Sequence, residues 1–94
     1  MKYFFYYGYN NAKIEVSEYF NNPDNYQGPY MFVPKGDEER AEILSDPFPG
    51  IEKTLFVFTN SGFFHIVDSI DYMYIHPKTN EIYINECPPD IKIE

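Results

Sequence analysis

Two histidines and one cysteine, His65, His76 and Cys87, are the side chains of this 94-residue chain best suited to metal or nucleophilic chemistry. They are spaced eleven and eleven apart, with no Cys-x-x-Cys or His-x-x-x-His pair. A structural zinc site needs four clustered ligands at close spacing, so no metal and no other cofactor is expected. His65 sits in the apolar run FFHIV and reads as a hydrogen-bonded sheet residue. Cys87, just before Pro88-Pro89, reads as a half-buried free thiol at a strand end. A Cys–His nucleophilic pair would have to meet in space, and nothing in the order of residues points to one. Ser17, Ser45, Ser61 and Ser69 lie in no Gly-x-Ser-x-Gly turn, and no glycine-rich phosphate loop is present. Asp68-Ser69-Ile70-Asp71 joins two apolar runs, and reads as a polar connection with a local Asp–backbone hydrogen bond rather than as an acid/base pair. The chain is not expected to be an enzyme.

The charge and the aromatic rings are segregated. Fifteen acids against seven bases give a net charge of −8. Residues 1–36 carry Lys2, Lys13 and Lys35 against Glu15, Glu18 and Asp24, so the whole surplus falls in residues 37–94. Eleven of the nineteen Tyr and Phe residues fall in the first 32, in runs such as YFFYYGY. A negative balance disfavours direct nucleic-acid binding, because phosphate contacts need Lys and Arg. No apolar run approaches the ~18 residues of a membrane helix, no leader pattern opens the chain, and a single Cys excludes an internal disulfide framework. A soluble cytoplasmic protein is the expectation.

The elements follow from turn signals and alternation. TLFVF (54–58) and FFHIV (63–67) flank Thr59-Asn60-Ser61-Gly62, a turn signal containing Gly. Pairing Thr59 with Phe63 sets Phe58 against Phe64, Val57 against His65 and Phe56 against Ile66. Both faces are then apolar, as in a strand pair covered on both sides or covered on one and used as an interface on the other. YMYIH (72–76) and EIYIN (81–85) flank Pro77-Lys78-Thr79-Asn80, with Asn suited to a left-handed turn position. Pairing His76 with Glu81 puts Met73, Ile75, Ile82 and Ile84 on a core face. Tyr72, Tyr74, His76, Glu81, Tyr83 and Asn85 then take a solvent face. On this reading Val57→Asp or Ile82→Asp unfolds the chain, whereas Tyr74→Ala leaves folding nearly intact.

DEERAEILSD lies between Gly36 and Pro47 and predicts a helix of about two and a half turns, with Asp37 as N-cap and Ala41, Ile43 and Leu44 packing inward. KYFFYYGY reads as a strand, and YMFV (30–33) as another. AKIEVSEYF fits two templates: Ala12, Val16, Tyr19 and Phe20 share a helical face, while Ile14 and Val16 alternate as in a strand after an Asn10-Asn11 turn, the preferred reading. NNPDNYQGP (21–29) is an irregular connection. The sum is a single compact α+β domain over 1–94: a small, mainly antiparallel sheet of five or six strands with one short helix.

One stretch carries a resemblance. FFYYGYN (4–10) resembles the strand-to-loop motif of gamma-glutamylcyclotransferase-like proteins, where an aromatic strand leads into Tyr-Gly-x-Asn. Tyr7, Gly8, Tyr9 and Asn10 would match that loop, with Tyr9 in place of the usual small residue. The resemblance implies a loop backbone cradling a glutamyl group and a downstream Glu as acid/base. It covers seven residues, and none of the nine Glu stands out as such a catalyst. Read without it, Gly8 interrupts an aromatic strand near a turn, as at a bulge.

The remaining chemistry is that of surfaces. Tyrosine gives a rigid amphipathic contact area, and nearby carboxylates steer a basic partner in. The candidate partner-binding residues are Tyr72, Tyr74, Tyr83 and Glu81 on the last hairpin, and Asp37, Glu38, Glu39 and Glu42 on the helix. The expected function is binding to a basic, nucleic-acid-handling protein, as an inhibitor or modulator of the immunity or phage anti-defence type. The alternatives are a homo-oligomeric structural module, with a homodimer as one form, or a small enzyme or ligand binder.

Overall fold

The computed structural model describes residues 2–9, 12–45 and 50–91. The aromatic run at the start forms β1 (Tyr3–Tyr9), a strand paired on both sides. On one side it meets β2 (Ala12–Glu15), with Tyr9 opposite Ala12 and Tyr6 opposite Glu15. That register leaves two residues for the turn, Asn10 and Asn11, which lie outside the described residues. On the other side β1 meets β4 (Thr54–Thr59), which pairs in turn with the edge strand β5 (Phe64–Val67). The four strands are antiparallel, in the order β2-β1-β4-β5.

Both readings of residues 12–20 turn out to be partly right. The strand ends at Glu15, and α1 (Ser17–Asn21) follows. Ser17 makes the switch possible: its Oγ accepts the Phe5 amide at 2.8 Å, replacing the ladder bond that a longer β2 would have supplied. Phe20 then stacks on Phe5 with ring centroids 4.6 Å apart. After a 3-10 turn (Pro23–Asn25), β3 (Met31–Val33) opens a second antiparallel sheet, completed by β6 (Met73–Ile75) and β7 (Ile82–Ile84) in the order β3-β6-β7. The architecture is α+β with antiparallel pairing, but the seven strands among the described residues divide between two sheets rather than forming one.

Both hairpin registers read from the turns are observed. Phe58 pairs with Phe64, Val57 with His65 and Phe56 with Ile66. The His76 amide donates to the Glu81 carbonyl at 2.9 Å, and Asn80 adopts φ 65° in that turn. Tyr3, Phe5, Tyr7, Leu55, Val57 and Val67 from the first sheet share one core with Met31, Val33, Met73 and Ile75 from the second. Phe20 of α1 and Leu44 complete it.

Gly8 does not mark a bulge. It stays in register between Lys13 and Thr54, and a Cβ there would come within 2.2 Å of the Ala12 carbonyl oxygen. The residue is needed because β2 crosses close to it. The strand therefore runs on through Tyr7, Gly8 and Tyr9, where the resemblance implied a cradling loop.

The helix α2 (Asp37–Leu44) corrects two expectations. Gly36 occupies the N-cap position, and no side chain caps the helix. Its inward residues are Arg40 and Leu44, four apart on one face, while Ile43 is exposed. Arg40 is fully buried. Its guanidinium donates to the carbonyls of Pro34, Val67, Asp68 and Asp71 at 2.8–2.9 Å. One side chain thus ties the ends of β3 and β5 to the approach of β6. α2 stops at Leu44, and Pro47, which bounds the segment in the sequence, lies outside the described residues.

Candidate functional site

Alternation along β1, β4 and β5 decides which rings the core takes and which it leaves. Tyr3, Phe5 and Tyr7 point inward with Leu55, Val57 and Val67. The opposite parity builds an outer face in register: Phe4, Phe58 and Phe64 form one row, and Tyr6, Phe56 and Ile66 the next. Phe4 and Phe58 stack at 5.4 Å, Tyr6 and Phe58 at 5.6 Å, and Phe56 lies 6.4 Å from Phe64. Phe64 is 59% exposed and Ile66 45%. Phe4, Tyr6, Phe56 and Phe58 are half-buried. Its margin is polar, with Glu15 beside Tyr6 on β2 and the Lys13 ammonium 4.7 Å above the Phe56 ring.

This apolar platform was half visible in the sequence. The TLFVF/FFHIV hairpin showed two apolar faces and so suggested an interface. Phe4 and Tyr6 as its continuation were missed. The available signal was that both parities of YFFYYGY are aromatic, so a strand burying one parity must expose the other.

The tyrosines expected on the solvent face of the last hairpin meet, but not in water. The pairings Tyr74–Tyr83 and Phe32–Tyr74 place these rings on one face of the second sheet. Tyr74 is only 6% exposed, which corrects the expected open stripe. It packs edge-on against Tyr30 and Tyr72 and lies 4.8 Å from Phe32. Tyr72 and Tyr83 are half-buried. The reason is long-range: the chain after β7 returns across this face. Tyr30 Oη donates to Asp90 Oδ1 at 2.6 Å, and Tyr74 Oη lies 3.7 Å from Cys87 Sγ. The Asp90 hydrogen bond, then burial, push the Tyr30 phenol up to about 12. Burial, then the Cys87 contact, push Tyr74 to about 12 as well. Glu81 is exposed and accepts from Tyr83 Oη at 3.3 Å.

The helix carboxylates split up. Asp37 is not a free surface charge: its carboxylate accepts from Tyr7 Oη at 2.8 Å and pairs with the buried Lys53 ammonium at 3.0 Å. Lys53 also donates to the Ile51 carbonyl. Burial alone would raise the Asp37 carboxyl, but the hydrogen bonds from Tyr7 and Lys53 outweigh it and leave the pKa below its ordinary value. Glu38 and Glu42 are exposed and border a cleft shared with Ile51 and Glu52. Glu39 faces a different groove, against Tyr19, Phe32 and Ile43. Of these four only Glu39 lies near the tyrosine face, through Phe32, so the helix carboxylates and the hairpin tyrosines do not form one site.

The histidines and the cysteine are dispersed. His65 sits opposite Val57, with its ring 6.5 Å from Phe63. His76 Nδ1 accepts the backbone amides of Lys78 and Thr79. Among the described residues no group of His, Cys, Asp and Glu could hold a metal ion. Asp68 and Asp71 form a turn closed by the Asp71 amide on the Asp68 carbonyl at 3.0 Å, and both carbonyls serve Arg40. No described helix is long and apolar enough to cross a membrane. Compared with protein-family models, curated proteins and solved structures, the chain matches none.

Proposed function

We propose that this chain is a small protein-binding module that inhibits or modulates a basic, nucleic-acid-handling protein. Its contact area is the outer face of the four-stranded sheet, and its carboxylates steer the partner in. One observation carries the reading: six aromatic or aliphatic side chains stand in two registered rows on the outer face, with Phe64 and Ile66 exposed and the other four half-buried. A contiguous, partly exposed apolar array of this kind marks an interaction surface. Three strands at ~4.8 Å by two rows at ~6.8 Å give a block of about 200 Å². That is a fraction of the ~800 Å² each partner buries in a standard interface. The block therefore acts as the anchoring centre, and the partner also covers a polar rim. A partner of opposite sign gains association rate from the charge of −8, whereas a second copy of this chain is repelled by it. That balance favours a basic protein over a homodimer.

The test uses the immobilised chain and a Phe56→Thr/Phe64→Thr variant against lysate, at low salt and at about 0.5 M salt, where the Debye length falls to a few ångströms. The reading expects basic proteins that the variant fails to retain and that bind more slowly at high salt. Retention of the same proteins by the variant, or association indifferent to salt, would sink it.

A further inference from the structure

A second candidate site lies where the 23–29 connection meets the 77–80 turn. Pro23, Tyr26, Pro29, His76, Pro77 and Lys78 line a groove of about 560 Å³. That volume falls in the range of small-molecule pockets. Three prolines and a half-buried tyrosine ring give it flat, stiff apolar walls. Although the chain carries fifteen acids, none of these lining residues is acidic.

Two nitrogens of the lining residues are uncommitted among the described residues. His76 Nδ1 accepts the amides of Lys78 and Thr79, both at 3.2 Å, so the proton of the neutral ring sits on Nε2. Nε2 has no partner among the described residues. Tyr30 packs edge-on against the same ring at 5.3 Å and holds its orientation. The Lys78 ammonium pairs with no described carboxylate. By contrast Lys53 is tied to Asp37, and Arg40 is spent on carbonyls.

We propose that this groove binds a small anion with a flat apolar body, an aromatic carboxylate. The ring lies against Tyr26 and the prolines, and the carboxylate takes the Lys78 ammonium and the His76 Nε2–H. A turn that fixes the imidazole tautomer before any ligand arrives removes part of the ordering cost of binding. The site is independent of the aromatic platform, so either proposal can fail alone.

The experiment is a titration followed in proton–nitrogen NMR correlation spectra, using phenylacetate, phenylacetamide and inorganic phosphate as probes. Phenylacetate is expected to shift the amides of residues 24–28 and 76–80. It should bind roughly two- to five-fold tighter than phenylacetamide, the margin an exposed ion pair supplies. Phosphate, lacking the ring, should shift these amides only weakly. Lys78→Gln should bring phenylacetate down to the affinity of the amide, and Tyr26→Ala should weaken both. Shifts confined to other surfaces, equal affinity for acid and amide, phosphate binding as tight as phenylacetate, or an unchanged preference in Lys78→Gln would each overturn the proposal.

Discussion

The outer faces of the two sheets are both aromatic, and they meet opposite fates. The four-stranded sheet presents Phe4, Phe56, Phe58 and Phe64 with Tyr6, and leaves Phe64 exposed and the others half-buried. The three-stranded sheet presents Tyr30, Phe32, Tyr74 and Tyr83, and the return of the chain after β7 locks them down. Simple partition would bury phenylalanine and expose tyrosine. The reverse happens because a phenol can be tethered. Tyr30, Tyr74 and Tyr83 each bring their hydroxyl to a partner, Asp90, Cys87 and Glu81. Phenylalanine offers no such handle, so a covering segment would have only apolar area to hold it.

The largest effect expected bears on what holds the two sheets together. Arg40→Ala leaves four carbonyls without their donor and opens a cavity, at a cost of about 3–5 kcal/mol, the penalty for breaking a buried charged network. That is a large part of the stability of a small domain, so thermal melts should show the midpoint lowered by more than ~10 °C. A cooperative wild-type-like melt would mean that Arg40 is not the tie between the sheets.

Next comes Tyr74→Ala. Truncating a ring packed among Tyr30, Phe32 and Tyr72 should cost about 3 kcal/mol in a denaturant titration. A change below about 0.5 kcal/mol, the usual range for surface sites, would restore the solvent-facing stripe that alternation implies.

Alkaline pH probes the same tethered face. Tyr30 and Tyr74 both titrate near 12 in the fold against an ordinary 10.0. The fold thus favours the neutral phenols. Their stabilising contribution is complete below pH 10 and is lost progressively between 10 and 12. Phenolate absorbance should show ionisation extending toward pH 12, with unfolding setting in over that window. Early ionisation of Tyr30, with the fold intact, would show that the Asp90 tether is absent.

Local chemistry was legible and long-range closure was not. Both hairpin registers follow from their turns, Thr59 to Phe63 and His76 to Glu81, because turn residues and pleat parity act over a few positions. Which aromatic face is covered depends on a contact between Tyr30 and Asp90, sixty residues apart, and alternation carries no information about it. The helix was misread for a related reason. Hydrophobic ranking selects Ile43 and passes over Arg40, whose burial makes sense only once four carbonyls from distant segments converge on it. Of the candidate site residues, Tyr72, Tyr74 and Tyr83 do cluster, but as a packed layer. The open platform needed the β1–β4 pairing, which joins residues some fifty positions apart, as with Phe4 and Phe58.

The smallest stability effect should accompany the largest effect on binding. Phe64 is 59% exposed on an edge strand, so little of its area is buried by the fold. Phe64→Thr keeps a β-branched residue at that position, and its unfolding free energy should stay within about 0.5 kcal/mol of wild type. If the platform anchors a partner, the same change removes a central apolar contact and should cost about 2 kcal/mol or more of affinity, the scale of an interface hot spot. Tyr74→Ala should show the opposite ratio, a large loss of stability and, in the surviving folded fraction, little loss of affinity. Measuring both quantities on both variants separates a ring that holds the fold from a ring that holds a partner. If Phe64→Thr melts early and Tyr74→Ala does not, the roles assigned to the two faces are exchanged.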